Sequence, residues 1–152
     1  MTDVLYIDIV KNRIVKRIEL VSVISPEERL QSKCRFVCYH SEKLYIVDEG
    51  LCRVLVYYND DNGVTSFGEP GSCIGQFQSP SAIVVDGEGM CLVVDTGNNR
   101  LQVMDSDSDS EYRCVGVVKT DWPLYRPTRA CLDMSRRELW VTTERGVVSY
   151  RM

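Results

Sequence analysis

A single histidine, His40, is all this chain has. That scarcity removes most routes to acid–base, nucleophilic or zinc chemistry, which draw on imidazole more than on any other side chain. Gly-x-Ser-x-Gly elbows, phosphate loops and Cys/His pairings are missing too. No apolar run approaches the ~20 residues of a membrane-spanning helix, so no membrane partner is expected. No stretch sustains a 3.6-residue apolar period, and residues 26–31 are expected to give at most one helical turn in a connection. The opening MTDVLYIDIVKNR lacks the apolar core of a secretory signal. Positive charge is not in excess either. Eighteen Lys and Arg against 22 Asp and Glu leave −4, so nucleic-acid binding would need a local basic patch.

Cysteine is plentiful but unorganised. The seven residues Cys34, Cys38, Cys52, Cys73, Cys91, Cys114 and Cys131 are odd in number and scattered, mostly inside strand patterns. Cys34 and Cys38 lie four apart, but no second pair follows at metal-ligand spacing. The reading is buried, reduced thiols in a cytoplasmic protein, with no metal and no cofactor.

The chain has a repeat in place of these features. Val93-Val94-Asp95 is followed five residues later by Arg100, and Ile46-Val47-Asp48 five residues later by Arg53. Tyr6-Ile7-Asp8 is followed likewise by Arg13. A degenerate fourth copy runs from Leu139 to Thr143 and through Gly146 into Val147. The anchors Asp8, Asp48, Asp95 and Thr143 are 40, 47 and 48 residues apart. A second anchor keeps step: Pro80 and Asp86 recur as Pro127 and Asp133, with Lys33 and Tyr39 in those places in the earlier copy. The best copy reads as strands at Ala82–Val85, Cys91–Val94, Leu101–Met104 and Cys114–Val118, with a hairpin turn at Asp86–Gly89. Four short strands at this period are the blade of a β-propeller. The expected fold class is therefore all-β. Its units are approximately 1–25 (partial), 33–66, 80–119 and 127–152 (partial), about three and a half four-stranded blades or fourteen strands.

Recurrence suggests architecture before chemistry. Asp95, Asp48 and Asp8 end strands at tight turns. Each carboxylate can accept from turn amides such as those of Thr96 or Gly97, and an Asp–Arg bridge to Arg100, Arg53 or Arg13 would lock the turn. Asn98 and Asn99 belong to the same turn. Phe77 should plug the gap between neighbouring blades, with Leu124 or Tyr125 and Leu30 in the matching places. The run from Asp105 to Glu111 reads as a solvated loop.

The stretch FGEPGSCIGQFQSPSAIVVDGEGMCLVVDTGNNRLQVM, residues 67–104, resembles the NHL repeat. That repeat builds the propellers of tripartite-motif NHL proteins, of relatives without a RING, and of peptidyl-hydroxyglycine amidating lyase. The resemblance implies a segment of a larger, six-bladed ring, whose open ends would invite self-association. It also implies a protein-binding scaffold, as in the relatives whose propeller recruits substrates for a ubiquitin ligase. The RING of those relatives has no counterpart here, so no ligase activity is expected of the segment. An amidating-lyase activity would need a zinc held by several histidines. The alternative is an RNA-binding face. Its candidate residues are Lys33, Arg35, Arg126 and Arg129, which precede innermost strands, with Tyr125 and Trp122 to stack on bases. If these cations cluster unpaired, RNA is favoured. If they pair with Asp or Glu, and an apolar patch is exposed on a loop face, a protein partner is favoured.

Overall fold

Short β-branched runs bounded by Gly, Asn, Asp and Ser become strands throughout the chain. The computed structural model describes residues 3–8, 13–19, 24–58, 63–106 and 111–151, the first two stretches as backbone alone. In chain order the elements are β1 (Asp3–Asp8), β2 (Arg13–Glu19), α1 (Pro26–Arg29), β3 (Cys34–His40), β4 (Lys43–Asp48), β5 (Arg53–Tyr58) and β6 (Val64–Phe67). They continue with β7 (Pro80–Val85), β8 (Cys91–Asp95), β9 (Arg100–Ser106), β10 (Tyr112–Val117), β11 (Pro127–Asp133), β12 (Glu138–Thr143) and β13 (Gly146–Arg151). A short 3-10 turn, Thr96–Asn98, joins β8 to β9.

Each strand pairs antiparallel with its sequence neighbour. The sheets are β1–β2, β3–β6, β7–β10 and the three-stranded β11–β13. The fold is all-β, with thirteen strands among the described residues where the repeat predicted fourteen. Of the strands expected in the first copy, β1 and β2 are described, and residues 20–23 lie outside the described residues. So do residues 107–110 of the acidic serine run. The side chains of Asp8 and Arg13 are also outside, although the two residues face each other in the β1–β2 register.

The first strands of the three later sheets sit side by side, with β7 between β3 and β11. One apolar core fills the gap between β3–β6 and β7–β10, around Tyr45, Val47, Val56, Phe67, Phe77, Ile83 and Val93. A second fills the gap to the last sheet, around Leu92, Val94, Leu101, Leu124, Leu139 and Val141. The strand alternation that aims these side chains inward follows from the period of two.

Four details depart from expectation. The strand register puts Cys34 opposite Asp48, where Pro80 faces Asp95 and Pro127 faces Thr143. Cys34, not Lys33, therefore holds the proline place. The β3–β4 hairpin closes through Ser41 and Glu42, both at positive φ, whereas residues 86–90 link β7 to β8. A difference in turn length is invisible to spacing counted along the chain. Second, Phe77 and Leu124 plug their gaps, but Leu30 is 90% exposed. There the lead-in is α1, closed by a capping box between Ser25 and Glu28, and Leu30 falls on its solvent side at the C-cap. Ile24 packs against the apolar cluster of Leu44, Ile46, Leu55 and Tyr57. Third, Tyr125 is exposed rather than plugging a gap. Fourth, all seven cysteines are free thiols, but only Cys91 is fully buried, and Cys73 and Cys131 are exposed. Burial pushes the Cys91 thiol up to about 12.

Candidate binding face at the aspartate turns

Each of the three later sheets has an end where its second strand turns into its third and where the lead-in arrives. Asp95 organises this end in the best copy. Its carboxylate is fully buried. It accepts from the Gln78 amide at 2.7 Å, Asn98 Nδ2 at 2.9 Å, Arg100 Nε at 2.8 Å and Gln102 Nε2 at 3.1 Å. Arg100 spends its remaining N–H groups on the lead-in carbonyls of Ser72, Cys73 and Gln76. One buried ion pair thus ties strand, turn and lead-in together, with every partner group hydrogen-bonded. The expected donors, the amides of Thr96 and Gly97, do not reach the carboxylate. Gly97 N–H instead donates to the Gln78 carbonyl at 2.7 Å.

Asp48 repeats the pattern with a looser arginine. It accepts from the Lys33 amide at 2.8 Å, Ser32 Oγ at 2.9 Å and the Leu51 amide at 3.3 Å. Arg53 Nε stands 3.7 Å from Asp48, while Nη1 turns to Glu28 of α1 at 2.8 Å. Its Nε and Nη2 are buried without a hydrogen-bond partner. The last copy has Thr143 in the anchor place, and its hydroxyl bridges the Arg145 amide and the Gly146 carbonyl. Among the described residues these recurring groups bond to one another, to their own turns and strands and to the lead-ins, and no cluster of three or more His, Cys, Asp or Glu is placed to hold a metal.

Two neighbouring sheets are stitched at this end. Thr96 Oγ donates to the Pro127 carbonyl at 2.6 Å, Ser81 Oγ to the Thr128 carbonyl at 2.8 Å, and the Arg126 amide to Asn99 Oδ1 at 2.8 Å. Asn99 is left-handed at φ 53°, a conformation asparagine tolerates better than most residues. Asn98 meanwhile donates to the Gly71 carbonyl at 2.9 Å, so both lead-in loops converge on the Asn98-Asn99 pair.

Three of the four candidate cations meet here. Arg35, Arg126 and Arg129 line a cleft of about 300 Å³ together with Glu49, Ser79, Ser81, Thr96 and Thr128. Lys33 is not among the lining residues; its backbone amide serves Asp48. The cations are largely spoken for. Arg35 pairs with Glu49 at 2.8 Å and Arg126 with Glu144 at 2.6 Å. Arg129 donates to the Ser81 and Thr128 carbonyls and lies over the Phe36 ring at 5.4 Å. The lead-ins also expose apolar side chains: Trp122 is 75% exposed, Ile74 61% and Tyr125, next in sequence to Arg126, 43%. Arg145 covers one side of the Tyr125 ring at 4.1 Å.

Gln102 was not singled out by the sequence reading. It is fully buried, donates to the Gln76 carbonyl at 2.7 Å, and accepts from the Gly75 amide at 2.9 Å. A glutamine at an inward place of an otherwise apolar strand was the available signal. It occurs in one copy only, so the repeat does not reveal it.

No family model matches the chain. In sequence it is similar to Protein brain tumor of Drosophila melanogaster, 32% identical over 76 residues, 50% of this chain and 7% of that protein. It is similar also to B-box type zinc finger protein ncl-1 of Caenorhabditis elegans, 43% identical over 47 residues, 31% of this chain and 6% of that protein. The matched segments are thus a small part of either relative. Among solved structures, a protein of unknown function from Bacteroides caccae superposes with a TM-score of 0.72, covering 98% of this chain and 55% of its own at 11% identity. Luciferin-regenerating enzyme gives 0.56 at 19% identity over 72% of this chain and 37% of its own. Virginiamycin B lyase from Staphylococcus aureus gives 0.53 at 10% identity over 80% and 42%. These likenesses speak to fold alone. By sequence and by propeller-like architecture, the chain resembles an NHL-repeat propeller.

Proposed function

We propose that this chain is a non-catalytic NHL-type propeller segment that binds a protein partner through its aspartate-turn face. In a larger assembly such a face would recruit substrates, as for a ubiquitin ligase whose catalytic domain lies elsewhere. The observation that carries the reading is the exposure of Trp122 and Tyr125 beside arginines that are already neutralised. Trp122 and Tyr125 project from the lead-in to β11, while Arg35 and Arg126 are held by Glu49 and Glu144. Exposed aromatics with an apolar neighbour and a polar rim are the composition of a protein interface. The buried Asp48 and Asp95 clamps supply rigidity, which lowers the entropy lost on binding. Self-association through open sheet faces, a six-bladed parent ring and a cytoplasmic setting belong to the same proposal.

RNA binding is the second reading, favoured by one feature: three arginines from two different sheets line one cleft. Neutralising phosphates with them would require displacing Glu49 and Glu144, and the net charge of −4 opposes approach. The test is a titration of labelled single-stranded RNA between about 50 and 200 mM salt. The protein-partner reading expects weak, non-saturating binding that Arg129→Ala leaves unchanged. Saturable binding with a steep salt slope, flattened by Arg126→Ala and Arg129→Ala, would transfer the face to RNA.

A further inference from the structure

The first strand of each later sheet shifts register near its start, and the residue just past the shift differs from sheet to sheet. Phe36 faces Val47 there in β3–β4, Ala82 faces Val94 in β7–β8, and Arg129 faces Thr142 in β11–β12. An arginine thus stands where the other two sheets keep an apolar residue. Its side chain reaches back across β7 to β3. Nη1 donates to the Ser81 carbonyl at 3.1 Å and to the Thr128 carbonyl at 2.7 Å, and the guanidinium carbon lies 5.4 Å from the centre of the Phe36 ring. Two carbonyls and an aromatic face fix the orientation of the fork without neutralising it.

That charge is the one left over in the cleft. Of the three arginines lining it, Arg35 is paired with Glu49 and Arg126 with Glu144. Arg129 forms no ion pair among the described residues, and its Nε and Nη2 make no hydrogen bond there. Neither does Ser79 Oγ, which lines the same cleft. The donors that remain are one edge of a guanidinium and one hydroxyl. The parallel N–H groups of that edge match the two oxygens of a carboxylate. A single uncompensated charge suits one acidic group. It does not suit a nucleic acid, where each phosphate neutralised calls for its own cation.

We propose that Arg129 determines specificity at the aspartate-turn face by taking one carboxylate, the side chain of an aspartate or glutamate on the protein partner. The inference rests on the reading of this face as a protein-binding surface and names the chemistry that the partner presents to it. Glu49 and Glu144, by holding Arg35 and Arg126, confine the anion to Arg129.

The probe is N-acetylglutamate methylamide, whose one free carboxylate is that of the side chain. It is titrated at constant ionic strength into the 15N-labelled 152-residue chain, and the arginine Nε–H signals are followed by NMR. The Arg129 signal, identified by its loss in Arg129→Gln, should shift saturably. Its Kd should be about tenfold lower than for the glutamine analogue, the worth of one charge-assisted hydrogen bond. The signals of Arg35 and Arg126 should move less. An absent or unsaturable shift at Arg129, an equal response to the two compounds, or larger shifts at Arg35 and Arg126 would overturn the proposal. So would acetate or inorganic phosphate binding as tightly as the glutamate compound, because the site would then belong to a small anion. Affinity capture separates this inference from the reading beneath it. Retention of partner proteins should fall about tenfold in Arg129→Gln. If the wild type and Arg129→Gln retain the same proteins in the same amounts, the inference fails and the reading stands. If the wild type retains none, the reading fails and the inference with it.

Discussion

A buried carboxylate is tolerated only when its hydrogen-bonding capacity is filled, and Asp95 meets that condition with four donors. Asp95→Ala would strand Arg100 and Gln102 beside a cavity. It should cost about 3–5 kcal/mol in urea unfolding, the range for breaking a buried pair. The two arginines separate the recurring residue from its environment. Arg100→Met removes contacts to three lead-in carbonyls and should cost about 3 kcal/mol. Arg53→Met deletes a group with two buried N–H atoms already unpartnered and should fall within about 1 kcal/mol of neutral. Equal losses at the two sites would refute the distinction. The αL place four residues after each aspartate tells the same story: Asn99 holds it at φ 53° and Cys52 at φ 52°. Asparagine suits that conformation and cysteine does not, so Cys52→Asn should raise stability by about 0.5–1 kcal/mol.

The strand-two-to-strand-three turn is the element that makes the loop face rigid, and it needs a close backbone approach. A Cβ at Gly97 would lie 2.6 Å from the Gln78 carbonyl oxygen, which Gly97 N–H contacts. Gly97→Ala should therefore cost about 1–3 kcal/mol, the range for overpacking, and a neutral result would mean that the lead-in yields freely. These elements were legible where one residue type recurs at fixed spacing: strands, turns and the Asp–Arg bridge follow from Val93-Val94-Asp95 and Arg100. What escaped was set by contacts distant in sequence. The one-residue register of β3 depends on its hairpin, the exposure of Leu30 on a capped helical turn, and the role of Gln102 on the 75–76 backbone. The sheet interior also sets a pH response. Burial raises the Cys91 thiol from about 9 in the unfolded chain to about 12, so the fold keeps it neutral. That disfavour toward thiolate leaves stability unaffected below pH 9 and lowers it as pH rises from there toward 12. Cys91→Ala should flatten the alkaline decline. The same urea midpoint shift with pH in wild type and variant would assign the decline elsewhere.

At the scale of the molecule, the three later sheets share a row of inner strands, and all their aspartate or threonine turns lie at one end. The period of forty to fifty residues made this propeller-like stacking readable. Of Lys33, Arg35, Arg126 and Arg129, expected on one face because they lie near the starts of innermost strands, the three arginines line one cleft and Lys33 does not. The pairing of Arg35 with Glu49 and of Arg126 with Glu144 was not singled out by the sequence reading, although each glutamate directly follows an anchor residue, Asp48 or Thr143. That neutralisation, with Trp122 and Tyr125 exposed beside it, is why a protein partner is preferred to RNA. The most direct test is affinity capture by the immobilised chain, compared with a Trp122→Ser/Tyr125→Ala variant of the same thermal stability, with and without ribonuclease. The account predicts specific proteins retained by the wild type, unaffected by ribonuclease and lost from the variant. Retention that ribonuclease abolishes, or that the variant keeps in full, would contradict it.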